Sequence, residues 1–245
     1  MIGVLTSNFV LYYDLVQALQ QREAPFVSLT FDQEIPSIVG VVIAAEEDRE
    51  AISFDNVIYA SPTRDIDELI DRALLNLYRT QAIPEIIIGI DPGATPGIAI
   101  FGEGRLLRRF TAQSAFESVA CVLSCIYNWH DCRIIVRIGH GAHLIRNRII
   151  NMLWGKATNI EIVNETSTTP PNNHDDTIAA ASIAMTPGKP VHCRLSVKPT
   201  DGEIRDVQQK SRLMSGDVTI SKDLARKVLT GKLEMRRAIE AQHQK

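Results

Sequence analysis

The sequence contains no run of eighteen or so consecutive apolar residues, the length that a bilayer core demands, so nothing in it reads as a membrane-spanning helix. Its start lacks a basic segment ahead of an apolar run and a small-residue cleavage site, which leads us to expect a cytoplasmic protein that meets no membrane. Cysteine is scarce, at positions 121, 125, 132 and 193, and no CxxC pair occurs. That excludes a disulfide framework. Cys121, Cys125, His130 and Cys132 lie close in sequence, but the paired spacing of a structural zinc site is missing, and buried reduced thiols are the expectation. No GxGxxG appears either. The first strand-to-helix turn reads LTSNF, without the glycines that let backbone approach a pyrophosphate, so no nucleotide cofactor is expected. Repeats and low-complexity stretches are also absent, and 45% hydrophobic against 22% charged residues describes a chain able to bury a full core.

Charge of one sign is missing where it would be most useful. Residues 1–85 hold 5 basic and 14 acidic side chains, residues 86–188 hold 8 of each, and residues 189–245 hold 13 basic and 7 acidic. A polyanion is repelled by the first segment and attracted by the last, so a nucleic-acid footprint has to involve the C-terminal tail.

Hydrophobic periodicity divides the chain into the same three parts. Residues 1–84 alternate apolar runs (Ile2 to Leu5, Phe26 to Leu29, Val39 to Ala44, Asn56 to Ala60) with helical patterns around Leu11 to Leu19 and Ile66 to Leu77, which predicts a small α/β domain ending at Pro84. Residues 85–188 have a different order. Strands at Ile86 to Asp91, Gly97 to Phe101 and Arg105 to Phe110 are joined by turns short enough only for antiparallel neighbours. A helix from about Ala112 to Asn128, a strand at Ile134 to Ile138, a helix bearing Ile145, Ile149, Met152 and Leu153, a strand at Ile160 to Val163 and a helix from near His174 follow. Residues 189–245 form a basic, mainly helical extension, with Ser221 a candidate cap and Gly231 a candidate break.

Three places could carry chemistry. Asp91 ends an apolar strand just before a turn rich in proline and glycine, where a carboxylate on a rigid edge suits a hard cation shared with a phosphate; plain turn chemistry accounts for the same residues. Asn173, His174, Asp175 and Asp176 open an alanine-rich helix. Helix capping explains one carboxylate there, not two in succession beside a histidine. Small side chains after them let the helix approach a sheet closely, bringing Asp176 toward the strand ends. Glu165, directly after the strand Ile160 to Val163, is the candidate third acid, although loop glutamates are commonly just solvated.

The segment GIDPGATPGIAI, residues 89–100, resembles the first-strand motif of the RuvC and YqgF groups of RNase H-like nucleases. VNETSTT, residues 163–169, is similar to the DERLTT-type segment of YqgF proteins, and HDDTIAAASIA, residues 174–184, resembles their final metal-binding helix. IGHGAHLIRNRI, residues 138–149, is similar to the IGNGTASRE-type segment in the YqgF domain of the transcription factor Tex. The resemblance covers about 100 residues, with the motifs in family order. It implies an α/β fold of RNase H-like type, a mixed sheet of three antiparallel strands followed by alternating helices and strands, flanked here by the N-terminal α/β domain and the helical tail.

Carried over residue by residue, the resemblance makes Asp91 the central metal ligand, Glu165 the middle acid and Asp176 the final-helix ligand. His174 would assist proton transfer, and Asp175 is a further candidate metal ligand. RuvC proteins place a glutamate after the fourth strand, where this chain has Gly139 and His140, and an aspartate or histidine where it has Asn173. The implied activity is Mg²⁺- or Mn²⁺-dependent endonucleolytic cleavage of structured DNA or RNA, with Holliday-junction resolution its nearest analogue and a homodimer presenting two sites to two strands. A catalytically impaired nucleic-acid-binding factor in recombination, transcription or RNA processing is the alternative. In either case Arg226, Lys227, Arg236 and Arg237 are the expected phosphate contacts, unless the tail is a solvated face or a dimer arm. Sugar-kinase and actin-like ATPases also begin with such a domain, but they carry a second glycine-rich phosphate motif that this chain lacks.

Overall fold

The computed structural model describes residues 1–61, 65–157, 159–164, 175–230 and 232–243. The acidic segment forms β1 (Ile2–Val4), α1 (Phe9–Gln21), β2 (Phe26–Ser28), β3 (Val41–Ala45), a 3-10 helix (Glu46–Ala51), β4 (Val57–Ala60) and α2 (Ile66–Tyr78). All of its strand pairs are parallel, in the order β2-β1-β3-β4. Both helices start on polar caps: Asn8 accepts from the Leu11 amide and Asp65 from the Asp67 amide, satisfying donors that the first turn leaves orphaned. Every residue of β1 and β3 is buried, as parallel strands covered on both faces must be.

The middle segment builds a six-stranded sheet from β5 (Glu85–Asp91), β6 (Gly97–Gly102), β7 (Arg105–Thr111), β8 (Arg133–Gly139), β9 (Asn159–Val163) and β10 (Lys189–Pro190). The order is β10-β9-β8-β5-β6-β7. As expected from the short turns, β6 runs antiparallel to both β5 and β7, while β8 and β9 run parallel to β5. The helices are α3 (Ala115–Asn128), α4 (His143–Leu153) and α5 (Asp176–Met185). One face of the sheet, with Ile86, Ile88, Ile90, Ile98 and Ile100, shares a core with Val119 and Val122 of α3 and Ile149 and Ile150 of α4. The other face packs Ile87, Ala99, Phe101 and Ile135 against Ala180 and Ala184 of α5. That helix lies unusually close to the strands. A methyl group on Gly89 would overlap the Ala180 carbonyl and come within 2.7 Å of the Ala184 Cβ. Two helix starts differ from expectation: Ser114, accepting from the Glu117 amide, delays α3 to Ala115, and Asp175 caps α5 so that it begins at Asp176.

The basic tail is helical, as expected, with α6 (Asp201–Ser215), α7 (Lys222–Leu229) and α8 (Met235–His243) closing on Ile204, Val207, Ile220, Leu224, Ala225 and Ala238. Thr200 and Glu203 form a reciprocal capping box at the start of α6, and Gly216, at φ 88°, supplies the left-handed residue that ends it. Ser221 caps α7, accepting from the Leu224 amide; the candidate break at Gly231 falls outside the described residues. Helix α4 is the anchor for this bundle. The Asn147 side-chain amide donates to the Ser196 carbonyl at 2.6 Å, Asn151 bonds both the amide and carbonyl of Leu195, and Arg148 donates to the Thr230 carbonyl.

Helix α2 belongs to both sheets. Leu69, Ile70, Ala73, Leu74 and Leu75 are all buried in a core continuous with the strands on either side, and the fully buried Asp71 sits among them. Arg22, at the end of α1, donates to Asp71 at 2.8 Å, and Arg108 of β7 lies 2.9 Å from its other oxygen. The second contact is electrostatic rather than a well-directed hydrogen bond. Burial pushes the Asp71 carboxyl up to about 6, against the pull of Arg108 and Arg22. Its folded value therefore exceeds the unfolded one, so folding takes up a proton in this window. The stability contributed is complete below the unfolded pKa and lost as pH rises through about 6. Comparing wild type with Asp71→Asn cancels the other carboxylates: the stability advantage of wild type should shrink between about pH 4 and about pH 7 by up to about 3 kcal/mol, followed by denaturant titration. A difference independent of pH would contradict the assignment.

Candidate functional site

The carboxyl edge of the six-stranded sheet gathers three starts and ends. Asp91 closes β5 and pairs in register with Gly97, the first residue of β6. Gly97 needs its missing side chain: a Cβ there would collide with the backbone of Asp176 and lie 3.0 Å from the Asp176 Cβ. The first residue of α5 is thereby seated on the residue directly across the ladder from Asp91. Asp91 is half-buried and Asp176 exposed, so the pair combines a rigid base with an open top. Of the residues predicted from sequence, these two are brought together.

Asp175 has other work. Its carboxylate accepts from the hydroxyl of Thr177 at 2.6 Å and from the Thr177 amide at 2.9 Å, which makes it the cap of α5 rather than a side chain directed to a metal. Those hydrogen bonds hold it below the usual carboxylate range, with Arg109 of β7 adding a smaller pull. Glu165 and His174, and Asn173 with them, lie outside the described residues. Among the described residues, no group of three or more His, Cys, Asp and Glu side chains is placed to hold a metal ion. The cysteines are free thiols, with Cys125 buried. Asp91 and Asp176 offer the oxygen donors that Mg²⁺ or Mn²⁺ prefers, at a place with room for further ligands.

Next along the edge, β8 ends at Gly139 beside β5, and the loop that follows carries Ala142 at φ 32° into α4. Arg146, 9% exposed, reaches back from the first turns of α4 to donate to the His140 carbonyl at 2.7 Å and to Asn147 at 2.9 Å. Desolvation lowers its pKa. Arg146 and Arg109 are cations at this edge that the sequence alone did not single out. For Arg146 the available signal was an arginine among the apolar residues Leu144, Ile149, Ile150 and Leu153 of its helix; Arg109, one of three arginines in β7, had no such signal.

The N-terminal sheet has its own carboxyl edge, and its strand order reverses between β1 and β3, the point where open α/β sheets offer a crevice to ligands. Here the crevice is filled from within. The buried Asp48 accepts from the Thr6 hydroxyl at 2.7 Å, the Ser7 amide at 3.0 Å and the Ser7 hydroxyl at 2.5 Å, while Asn8 donates to Glu47. Burial raises the Asp48 pKa, but these hydrogen bonds outweigh it and hold the group low. Residues 1–77 match a response regulator receiver-like domain. Residues 200–245 match a three helical bundle domain. The six-stranded sheet lies between the two matches, and α6 to α8 coincide with the second. No curated protein and no solved structure matches the chain.

Arg226 and Lys227 on α7, and Arg236 and Arg237 on α8, are all exposed, on the side of each helix away from the buried Leu224, Ala225 and Ala238. Lys227 is partly engaged by Asp223 at 3.1 Å. The bundle is tied to the same sheet edge as Asp91, because Nδ1 of His143, the first residue of α4, lies 2.7 Å from Glu203 of α6. The close seating of α5 generates a test. Gly97→Ala forces the helix start away from β6 and should cost about 1–3 kcal/mol in denaturant titration, whereas Gly93→Ala, whose new methyl meets nothing nearer than Thr95 at 3.7 Å, should cost far less. Equal costs would mean that α5 does not depend on this approach.

Proposed function

We propose that the chain is a divalent-metal-dependent endonuclease acting on structured nucleic acid, resembling Holliday-junction resolvases, with an RNase H-like middle domain. The observation that carries this reading is the seating of Asp176 on Gly97, opposite Asp91. The strand order β7-β6-β5-β8-β9, with only β6 reversed, supports it, since three antiparallel strands followed by two parallel ones is the arrangement the motif resemblance implies. Mg²⁺ or Mn²⁺ held by Asp91 and Asp176, with Glu165 as the third acid, would supply the Lewis acidity that phosphodiester hydrolysis requires. Asp91 on its strand end fixes the position of the site. Asp175 holds the helix that carries Asp176, and the basic tail, tied to the start of α4 through His143 and Glu203, would hold a phosphate backbone.

A second reading, nucleic-acid binding without cleavage, is favoured by one observation. Asp175 is committed to Thr177, which leaves fewer carboxylates for a metal. The two separate on labelled four-way junction, duplex and single-stranded DNA and RNA in Mg²⁺ and Mn²⁺. The nuclease reading expects junction cleavage that falls at least about 100-fold in Asp91→Asn and Asp176→Asn, with junction binding retained, and weaker Mn²⁺ binding by either variant in electron paramagnetic resonance. Binding without cleavage by wild type would establish the second reading instead.

The tail has its own test. Replacing Arg226, Lys227, Arg236 and Arg237 with glutamine should flatten the dependence of log affinity on log salt by about 0.9 for each duplex phosphate that the variant no longer neutralises. An unchanged slope would take these four residues out of the binding surface.

A further inference from the structure

Beyond that reading, two apolar patches at opposite ends of the chain are unoccupied by its own residues. On α1, Phe9 is 86% exposed, Val10 72% and Tyr13 61%. The helix carries no lysine or arginine; Asp14 lies beside Tyr13, and Glu47 is bonded to the cap residue Asn8. At the end of α6, Leu213 is 77% exposed and Met214 60%; the charged neighbours on that half of the helix are Lys210 and Arg212, with Asp217 just beyond its end. Large exposed side chains grouped in this way mark interaction surfaces. One patch is rimmed by acid and the other mainly by base, on a chain whose first 85 residues are strongly acidic and last 57 strongly basic.

The two patches are held apart within one chain. The α1 side of the molecule packs through α2 on β7 and β6, one edge of the large sheet, whereas the bundle is bound to α4. We infer that the acid-rimmed face of α1 docks on the base-rimmed end of α6 in a second copy of the chain. Burying Phe9 and Tyr13 against Leu213 and Met214 supplies the apolar term, and the opposed rims set the orientation and speed the encounter. Such a contact joins two different surfaces, so it either closes into a symmetric pair using both contacts or extends head to tail. The acidic domain of one copy would then also occupy positive surface near the bundle that a nucleic acid could use.

All four apolar residues are exposed, so their replacement leaves the folded core intact. Sedimentation of the full chain at about 0.1 mM and low salt should give a mass above monomer that returns to monomer as salt screens the rims. The double variants Phe9→Ser with Tyr13→Ser, and Leu213→Ser with Met214→Ser, should each be monomeric. Mixed in equal amounts, they should form a one-to-one pair, because each supplies the patch the other lacks. A wild-type chain that stays monomeric would overturn the inference. So would an α6 variant that associates like wild type, or a mixture that stays monomeric while wild type assembles. Because nothing in this test involves cleavage, its failure is independent of the nuclease reading.

Discussion

The carboxylate of Asp71 is the point on which the arrangement of the molecule turns. An ionised carboxylate without solvent costs several kcal/mol unless it is closely paired, and removing one partner of a buried pair is more damaging than never having had the pair. Here the partners come from both sides: Arg22 from the end of α1 and Arg108 from β7. Asp67 extends the cluster by accepting from Arg22 and lying 3.5 Å from Arg108. Apolar packing alone would let α2 slide between the two sheets, since leucine and isoleucine are tolerant of register. The guanidinium groups are not, and they fix both the height and the rotation of the helix. The rest follows, because α2 forms part of the cover for the face of β6 and β7 opposite α5, leaving the carboxyl edge as the open side.

That charge node was not legible in the sequence. Ile66, Leu69, Ile70, Ala73, Leu74 and Leu77 announce the helix and its inner stripe, but nothing local says that a second sheet covers the flank where Asp71 sits. The order of the middle strands was legible for the opposite reason. The turns after Asp91 and Phe101 are too short for a crossover, so local geometry determined the antiparallel pairing. The juxtaposition of Asp91 and Asp176 could be anticipated because Gly97 and the alanines of α5 both speak for close approach. Asp175 shows the limit: two adjacent aspartates at a helix start look alike in sequence, and only the hydrogen bonds from Thr177 identify which one caps. Helix α6 is polar enough to leave little apolar period, and its capping box from Thr200 to Glu203 was not singled out in the sequence.

The two sheets make a physical contrast. Each presents a carboxyl edge, where strand ends and helix starts converge and anions or metals are ordinarily received. In the N-terminal sheet, Asp48 takes the donors of Thr6 and Ser7, so the fold consumes its own binding capacity. In the larger sheet, Asp176 is exposed at the edge beside the Asp91 strand end, and Arg146 and Arg109 bring positive charge to the same rim. The receiver-like segment thus has the form of a site with its contents built in, whereas the edge of the sheet that follows is left open.

The sharing of α2 also has a consequence for the chain as it emerges during synthesis. Residues 1–78 leave the ribosome before the larger sheet and contain all of the N-terminal sheet, along with Arg22 and Asp71. Arg108 and the strand that carries it come later. Domains tend to fold as units in order of synthesis, so the leading sheet can close while one flank of α2 is still bare and its aspartate has only half its partners. A nascent chain paused there exposes a greasy flank with a poorly compensated charge, a surface that invites a holding chaperone. Completion of β7 covers part of that flank and brings Arg108 to the aspartate.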